Sequence, residues 1–580
     1  MLKEAIYHRP KNNFAYLYDE EAVHIRIRSK KNDLRHVILL YGDPYNWKDE
    51  AWQYKTKEMK HAGSDELFDY WFAAFKPSCR RIRYGFKCVD DERSVFYTER
   101  GFYNEAPKDC AIYFSFPFLH AVDIFRAPDW VKKTVWYQIF PERFEDGEPS
   151  INHRDTQPWG ADPKKESYFG GDFQGIIKRL DYLENLGING IYFTPIFRAE
   201  TNHKYDTTNY LEIDPQFGDK RLLKKLVQEC HKRGIRVMLD AVFNHSGYCF
   251  APFQDVVKNQ EKSSYKDWFH IRKFPLKEDG NLNYDAFGFE EAMPKLNTEH
   301  PEVKKYLLNV AKYWIEEFDI DAWRLDVANE VSHHFWREFR QTVKTLKPDV
   351  YLVGEIWHDS MPWLQGDQFD AVMNYRFSDT MIDFFAREKR TVDQFKHEVV
   401  HIMQSYPLSV NEVAFNLLGS HDTPRILTIA NESKERLKLT YLFQFSVLGT
   451  PCIYYGDEIG MTGEQDPDCR KCMIWNEEEQ DLDLFNFVKK LIAFRKEIRA
   501  FGNEGDFTFI NIHPSVISYV RKNENEQLLF MINPIDQPVE VHIPIEFRGA
   551  TEIWTNSFLT EYTSTINQKG FIILYSSSRN

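Results

Sequence analysis

From about residue 130 to residue 502 the chain repeats a short apolar segment followed by a segment of helical spacing, and this alternation limits the possible folds more than any other feature. Residues 135–140 (VWYQIF) read as the first strand. Phe173, Ile176, Ile177, Leu180 and Leu183 then stripe one face of a helix over 173–186, with Asp172 suited to its N-cap and Gly187 to its stop. Residues 190–194 are the second strand; Leu222, Leu223, Leu226, Val227 and Cys230 stripe the next helix, closed by Gly234; residues 235–240 are the third strand. Residues 245–300 break the rhythm with Lys, Asp, Asn, Gly and aromatics, and a stretch this long between such units reads as a small inserted domain. The rhythm resumes at Pro301, which suits a first helical turn. Strand four ends at Asp326 and strand five at Glu355; residues 371–375, 414–418 and 452–455 supply three more. Eight strands alternating with helices is the count of a (β/α)8 TIM barrel.

The flanks read differently. Residues 1–125 carry repeated short strands, at 23–28, 37–41, 81–84, 94–97 and 111–115, with turn signals between them. That pattern predicts an N-terminal β-sandwich. It serves either as a packing domain or as a carbohydrate-binding module or dimer interface using aromatics such as Trp47 and Trp52. Residues 503–580 carry strands at 507–510, 516–520, 528–532, 539–543 and 571–575, which predicts a C-terminal antiparallel β-sandwich. The expected division is therefore 1–125, a barrel from 126–244 and 301–502, an inserted domain 245–300, and 503–580.

The formal charge is -14, from 74 Lys and Arg against 88 Asp and Glu, which argues against a nucleic-acid partner. A neutral sugar polymer would not be repelled, and 16% aromatics leaves a surplus suited to sugar stacking. The first ten residues hold no apolar signal segment and no run of 18 apolar residues occurs, so the expectation is a cytoplasmic protein without a membrane span. The eight cysteines read as free thiols in such a compartment. Cys469 and Cys472 form a C-x-x-C without the second ligand pair that zinc needs.

Polar residues gather at strand ends: His203 to Asp206 after strand two, Asp240 to His245 at strand three, Arg324 and Asp326 at strand four, Glu355 at strand five, and Ser420 to Asp422 after strand seven. Barrel enzymes keep their chemistry on that face. Two carboxylates about 5 Å apart can break a glycosidic bond with retention, one attacking the sugar carbon and the other protonating the leaving oxygen.

These residues resemble the ordered blocks of the α-amylase superfamily of glycoside hydrolases (glycoside hydrolase family 13). The matching stretches are DAVFNH at 240–245, WRLD at 323–326, GE at 354–355, LGSHD at 418–422 and GTPCIYYGDE at 449–458. Within that family MPKLN at 293–297 and VANE at 327–330 resemble the cyclomaltodextrinase, neopullulanase and maltogenic amylase group, where Ala322 departs from a usual Gly. The resemblance implies Asp326 as nucleophile, Glu355 as acid and then base, and Asp422 as transition-state stabiliser. Glu355 then needs a proton near neutral pH. Arg324, two positions before Asp326, faces the same way and can hold it ionised. His245 and His421 would donate to sugar hydroxyls and Tyr205 would stack on the ring.

Phe287, Phe289 and Trp357 are further substrate contacts or core aromatics, and Asp466 and Arg470 align with more distant sugar positions. Asp146, Glu148, Asn152, Gly170 and Asp172 supply hard oxygens for a calcium ion, which related enzymes bind in this loop, or form a turn capped by Asp and Asn. No organic cofactor is implied. The expected activity is retaining hydrolysis of α-1,4 bonds in cyclodextrins and short α-glucans (maltooligosaccharides), with pullulan as a further substrate and some transglycosylation. A glucanotransferase on the same barrel and a non-catalytic sugar-binding protein are the alternatives. The group implies a homodimer through the N-terminal domain.

Overall fold

The computed structural model describes residues 1–559 and 562–577. The chain divides into two compact units: one of Ala127–Glu388 and Val413–Glu504, the other of Met1–Arg126, Lys389–Glu412 and the stretch from Gly505 onward.

The first unit is the barrel. Its strands are Trp136–Ile139, Gly190–Phe193, Arg236–Ala241, Ala322–Leu325, Tyr351–Gly354, Ala371–Val372, Phe415–Leu417 and Thr450–Tyr454. Each pairs in parallel with the next, and the first pairs with the last through Trp136 and Cys452. The sixth strand is only two residues long. A single parallel bridge, Met373 to Phe415, with Asn374 N–H on the Phe415 carbonyl at 2.9 Å, carries it to the seventh and nearly closes the ring. Apart from Arg236 at its start, every strand residue is buried, as expected of a parallel sheet covered on both faces.

Helix ends follow the expected chemistry. Asp219 caps Lys220–Lys232 through Leu222 N–H, Gly234 takes φ +70° after it, and Pro301 opens the helix Pro301–Phe318. Ser332 caps His333–Leu346 through Phe335 N–H. The single helix expected over 173–186 is instead two, Phe173–Lys178 and Leu180–Leu186, parted at Arg179. The Arg179 guanidinium lies 4.0 Å from the Trp475 ring centre and 2.9 Å from Glu145 Oε2. Those tertiary contacts override the periodicity. Residues 245–300 hold one α-helix, Ala251–Asn259, two 3-10 turns, Gln260–Lys262 and Lys266–Trp268, and a two-stranded ribbon, Lys277–Glu278 with Asn281–Leu282, around Phe253, Phe269 and Tyr284.

In the second unit the amino-terminal stretch forms two antiparallel sheets. One runs Ala15–Leu17, Val23–Lys30, Phe68–Phe75, Lys60–Ser64; the other Gly101–Tyr103, Ser94–Thr98, Ile82–Val89, His36–Gly42, Lys55–Glu58. Val23, Ile25, Ile27, Val37, Leu39 and Phe86 fill the space between them. The strand expected at 111–115 starts only at Phe114, because Asp109 caps Ala111 N–H and turns Cys110–Ile112 into a 3-10 helix. Trp52 is buried, its indole N–H spent on the Asp43 carbonyl, so it is core; Trp47 is 45% exposed. After Gly505, a six-stranded sheet packs against Val539–His542 and Thr563–Ile566 over Leu529, Met531, Val541 and Leu574. Helix Val392–Ser405, which the sequence reading left in the barrel, groups with this unit: Arg26 Nη1 donates to the Tyr406 carbonyl at 2.6 Å and Asn13 Nδ2 to the Gln404 carbonyl at 2.8 Å.

Candidate active site

Strand register builds the site. Asp240 on strand three is level with Arg324 on strand four, and Arg324 with Val353 on strand five. Side chains two apart along a strand share a face. Asp326 and Glu355 therefore emerge side by side, each two residues past that level.

Arg324, 1% exposed, ties the acids together. Nη1 donates to Asp326 Oδ1 at 2.7 Å and to Asp240 Oδ1 and Oδ2 at 3.0 and 2.9 Å. Nη2 lies 2.8 Å from Glu355 Oε2 as an ion pair whose N–H directions miss the oxygen. Asp240 also accepts from the hydroxyls of Tyr192 at 2.7 Å and Tyr205 at 3.1 Å. Asp326 Oδ2 is buried and has no hydrogen-bond partner among the described residues. A buried oxygen left without a donor is costly. Here it gives the carboxylate one free edge. Glu355 Oε2 accepts from Val327 N–H at 3.0 Å and Oε1 from the Trp357 indole at 3.3 Å. Trp357 lies flat on Tyr375, ring centres 3.5 Å apart.

Burial pushes the Asp326 carboxyl up; Arg324 opposes this, while Glu355 and Asp240 add to it. Burial likewise pushes Asp240 up to about 6 against Arg324. Asp240 and Asp326, both on the Arg324 guanidinium, titrate as a coupled pair. The chemistry needs one acid charged and one protonated. The aligned Arg324 hydrogen bond favours charge on Asp326.

Burial drives His421 well below its ordinary value, and Arg470 and Arg324 add to this, so it is neutral. Gln138 Nε2 donates to its Nδ1 at 2.8 Å, which leaves the imidazole proton on Nε2, 2.7 Å from the Tyr205 hydroxyl. The Tyr205 ring is nearly parallel to that ring, 5° apart with centres 5.3 Å apart. Asp422, with 35% of its side chain exposed, lies 3.3 Å from His421 Nε2 and 3.2 Å from Arg470 Nη2. Arg470 also donates to the His421 carbonyl at 2.8 Å and pairs with Asp466 at 3.1 Å. The Cys469–Cys472 loop thus serves the site through Arg470, and both thiols are buried and free. His245 is held near 3 by burial, with Lys295 adding to it, and its buried Nε2 has no partner among the described residues. Phe287 lies against it, ring centres 5.1 Å apart. Phe289 is fully exposed and Trp357 45% exposed. The sequence reading assigned no role to Asp240, Gln138 or Tyr192. Asp240 carried the clearest signal, an acid in strand three level with an arginine in strand four.

In the 146–172 loop the oxygens expected for calcium divide into free and engaged ones. Asp146 Oδ1 and Asn152 Oδ1 are buried without a partner, and Gly170, at φ +86°, lets its backbone press on Asn152. Asp172 spends both oxygens on the N–H groups of Gly147, Glu148 and Gly175, and Glu148 turns to Ser150. No cluster of three or more His, Cys, Asp or Glu suited to a metal occurs among the described residues. The side-chain oxygens left unpartnered are one carboxylate oxygen and one amide oxygen, both of the hard type that calcium takes.

Two acids on one arginine at the carboxyl-end face of a barrel are an arrangement suited to glycoside hydrolysis. The chain belongs to the α-amylase family: the model of the alpha amylase catalytic domain matches residues 138–504. The N-terminal ig-like domain of that family matches 1–120 and the maltogenic amylase C-terminal domain 507–573. A cyclomaltodextrinase of Geobacillus thermopakistaniensis (strain MAS1) is 59% identical over 97% of this chain and 95% of its own. An intracellular maltogenic amylase of Bacillus subtilis (strain 168) is 50% identical over 91% of this chain and 90% of its own. A solved cyclomaltodextrinase structure matches with TM-score 0.95 at 49% identity, covering 100% of both chains.

Proposed function

We propose that the chain is a retaining α-glucan hydrolase acting on the α-1,4 bonds of cyclodextrins and short maltooligosaccharides, with pullulan as a further substrate and some transfer to sugar acceptors. One observation carries this reading: a single guanidinium holds Asp326 and Glu355 at neighbouring strand ends while Asp326 Oδ2 stays unpartnered. Asp326 Oδ2 attacks the anomeric carbon as Glu355 hands its proton to the leaving oxygen. Glu355 then takes a proton from water, and the resulting hydroxide releases the sugar with its starting configuration. Neutral His245 presents its unpartnered Nε2 to sugar hydroxyls, His421 holds the Tyr205 hydroxyl through its Nε2–H, and Asp422, braced by Arg470, stabilises positive charge developing on the ring. Arg324 holds the charge of the attacking acid.

Names of relatives support the substrate class. An intracellular location fits the relative named so, and no described helix is long and apolar enough to cross a membrane. Homodimerisation and a calcium ion on Asp146 and Asn152 complete the proposal. Initial rates on β-cyclodextrin, pullulan and soluble starch test it. Cyclodextrin should be fastest per mole of bonds; a starch rate exceeding it would overturn the substrate assignment. Light scattering at micromolar concentration should give twice the chain mass, and a monomer would refute the dimer.

A further inference from the structure

Val327 follows the attacking acid, and its backbone is left-handed, φ +46° and ψ 44°. Among the fourteen non-glycine residues recorded at positive φ it is the only β-branched one; most of the rest are Asn, Asp, Glu or Lys. A β-branched side chain in this region is strained, and such strain persists only where the surroundings enforce it. The enforced turn aims two successive N–H groups at one residue. Val327 N–H meets Glu355 Oε2 at 3.0 Å, and Ala328 N–H meets the Glu355 carbonyl at 3.2 Å. Arg324 Nη2 comes within 2.8 Å of the same Oε2 but is not aligned on it. Trp336 Nε1 donates to the Ala328 carbonyl at 2.8 Å and holds the turn from behind.

We infer that the strained peptide at Val327 is a positioning device for the proton donor: its N–H fixes Glu355 Oε2 as the carbonyl-type oxygen and leaves Oε1, which takes only the longer 3.3 Å contact from the Trp357 indole, to carry the proton to the leaving group. This rests on the glycosidase reading and assigns the two oxygens of its acid. The Val327 side chain does not touch the reaction; its backbone acts through Glu355.

An ester at this position, with α-hydroxyisovalerate in place of Val327, deletes the N–H and keeps the side chain. Protonation of the leaving group matters for maltotriose and little for an activated aryl maltoside. The ester form should lose kcat/KM on maltotriose by about tenfold more than on the aryl maltoside. Val327→Gly keeps the N–H and takes positive φ freely, so its ratio of the two rates should stay at the wild-type value. A wild-type ratio in the ester form would overturn the assignment, as would a Val327→Gly ratio as low as the ester's. Wild-type inactivity on both substrates would instead overturn the glycosidase reading, and the assignment with it.

Discussion

Arg324 concentrates the chemistry in one residue. Its guanidinium faces three carboxyls, two through aligned hydrogen bonds and one through a near ion pair. Removing it would leave buried charges unpaired, at a cost of about 3–5 kcal/mol. Arg324→Met should therefore lower thermal stability as well as activity, whereas Glu355→Gln should act on chemistry alone. Glu355→Gln should reduce kcat on maltotriose by about a hundredfold or more while an aryl maltoside with a good leaving group keeps most of its first-step rate. Equal losses on both would reject the acid role. At this scale the sequence marked Asp326, Glu355 and Asp422 as candidates, because each stands at a strand end beside a recognisable block, and the structure brings the first two onto Arg324. It could not reveal Gln138 as the partner of His421. Gln138 is an inward position on strand one, 283 residues away, and only closure of the ring brings the two together. The left-handed backbone at Val327 was equally hidden, since no β-branched residue advertises positive φ.

The strand ends opposite the chemistry are organised by another acid. Asp321 precedes strand four and is 1% exposed at its side chain. It accepts from Val237 N–H at 2.9 Å, His231 Nε2 at 2.7 Å and Arg236 Nη1 at 2.8 Å, with Lys347 at 3.2 Å. Burial works against its charge, but His231 and Lys347 more than compensate and hold it down to about 2. A carboxyl lowered on folding contributes stability that is complete above its unfolded value near 3.8 and fades as pH falls towards 2. Asp321→Asn should cost on the order of 2 kcal/mol at neutral pH, with the gap between mutant and wild-type melts closing below about pH 4. A gap that does not change with pH would contradict the charge-based account. In the barrel, element existence was readable from periodicity, while boundaries and breaks were not. The split at Arg179 depends on Glu145 and Trp475, which no local pattern predicts. Strand Phe68–Phe75 was missed because FDYWFAAF is almost continuously apolar rather than alternating.

Across the described residues, five histidines, four of them buried and His203 half-buried, share one electrostatic fate. Burial pushes His8, His24, His203 and His245 down to about 3 and His421 well below its ordinary value. They stay neutral in the folded state, while in the unfolded chain they charge below about 6.5. Stability from these groups is therefore intact above about pH 6.5 and is lost progressively as pH falls towards 3. The melting temperature should drop between about pH 7 and about pH 5, before most carboxylates titrate; a flat profile over that interval would contradict this. The order of sandwich, barrel, insertion and sandwich was legible in the changes of period. The grouping of Lys389–Glu412 with the terminal segments was not, because it rests on long-range contacts such as Arg26 with Tyr406. The central claim is that Asp326 bonds to the sugar. Mass spectrometry of the protein incubated with a 2-fluoro-maltosyl fluoride, followed by peptide mapping, tests it directly. A single fluoromaltosyl adduct on Asp326 is the predicted result; an unmodified chain still turning over maltotriose, or an adduct on another residue, would contradict it.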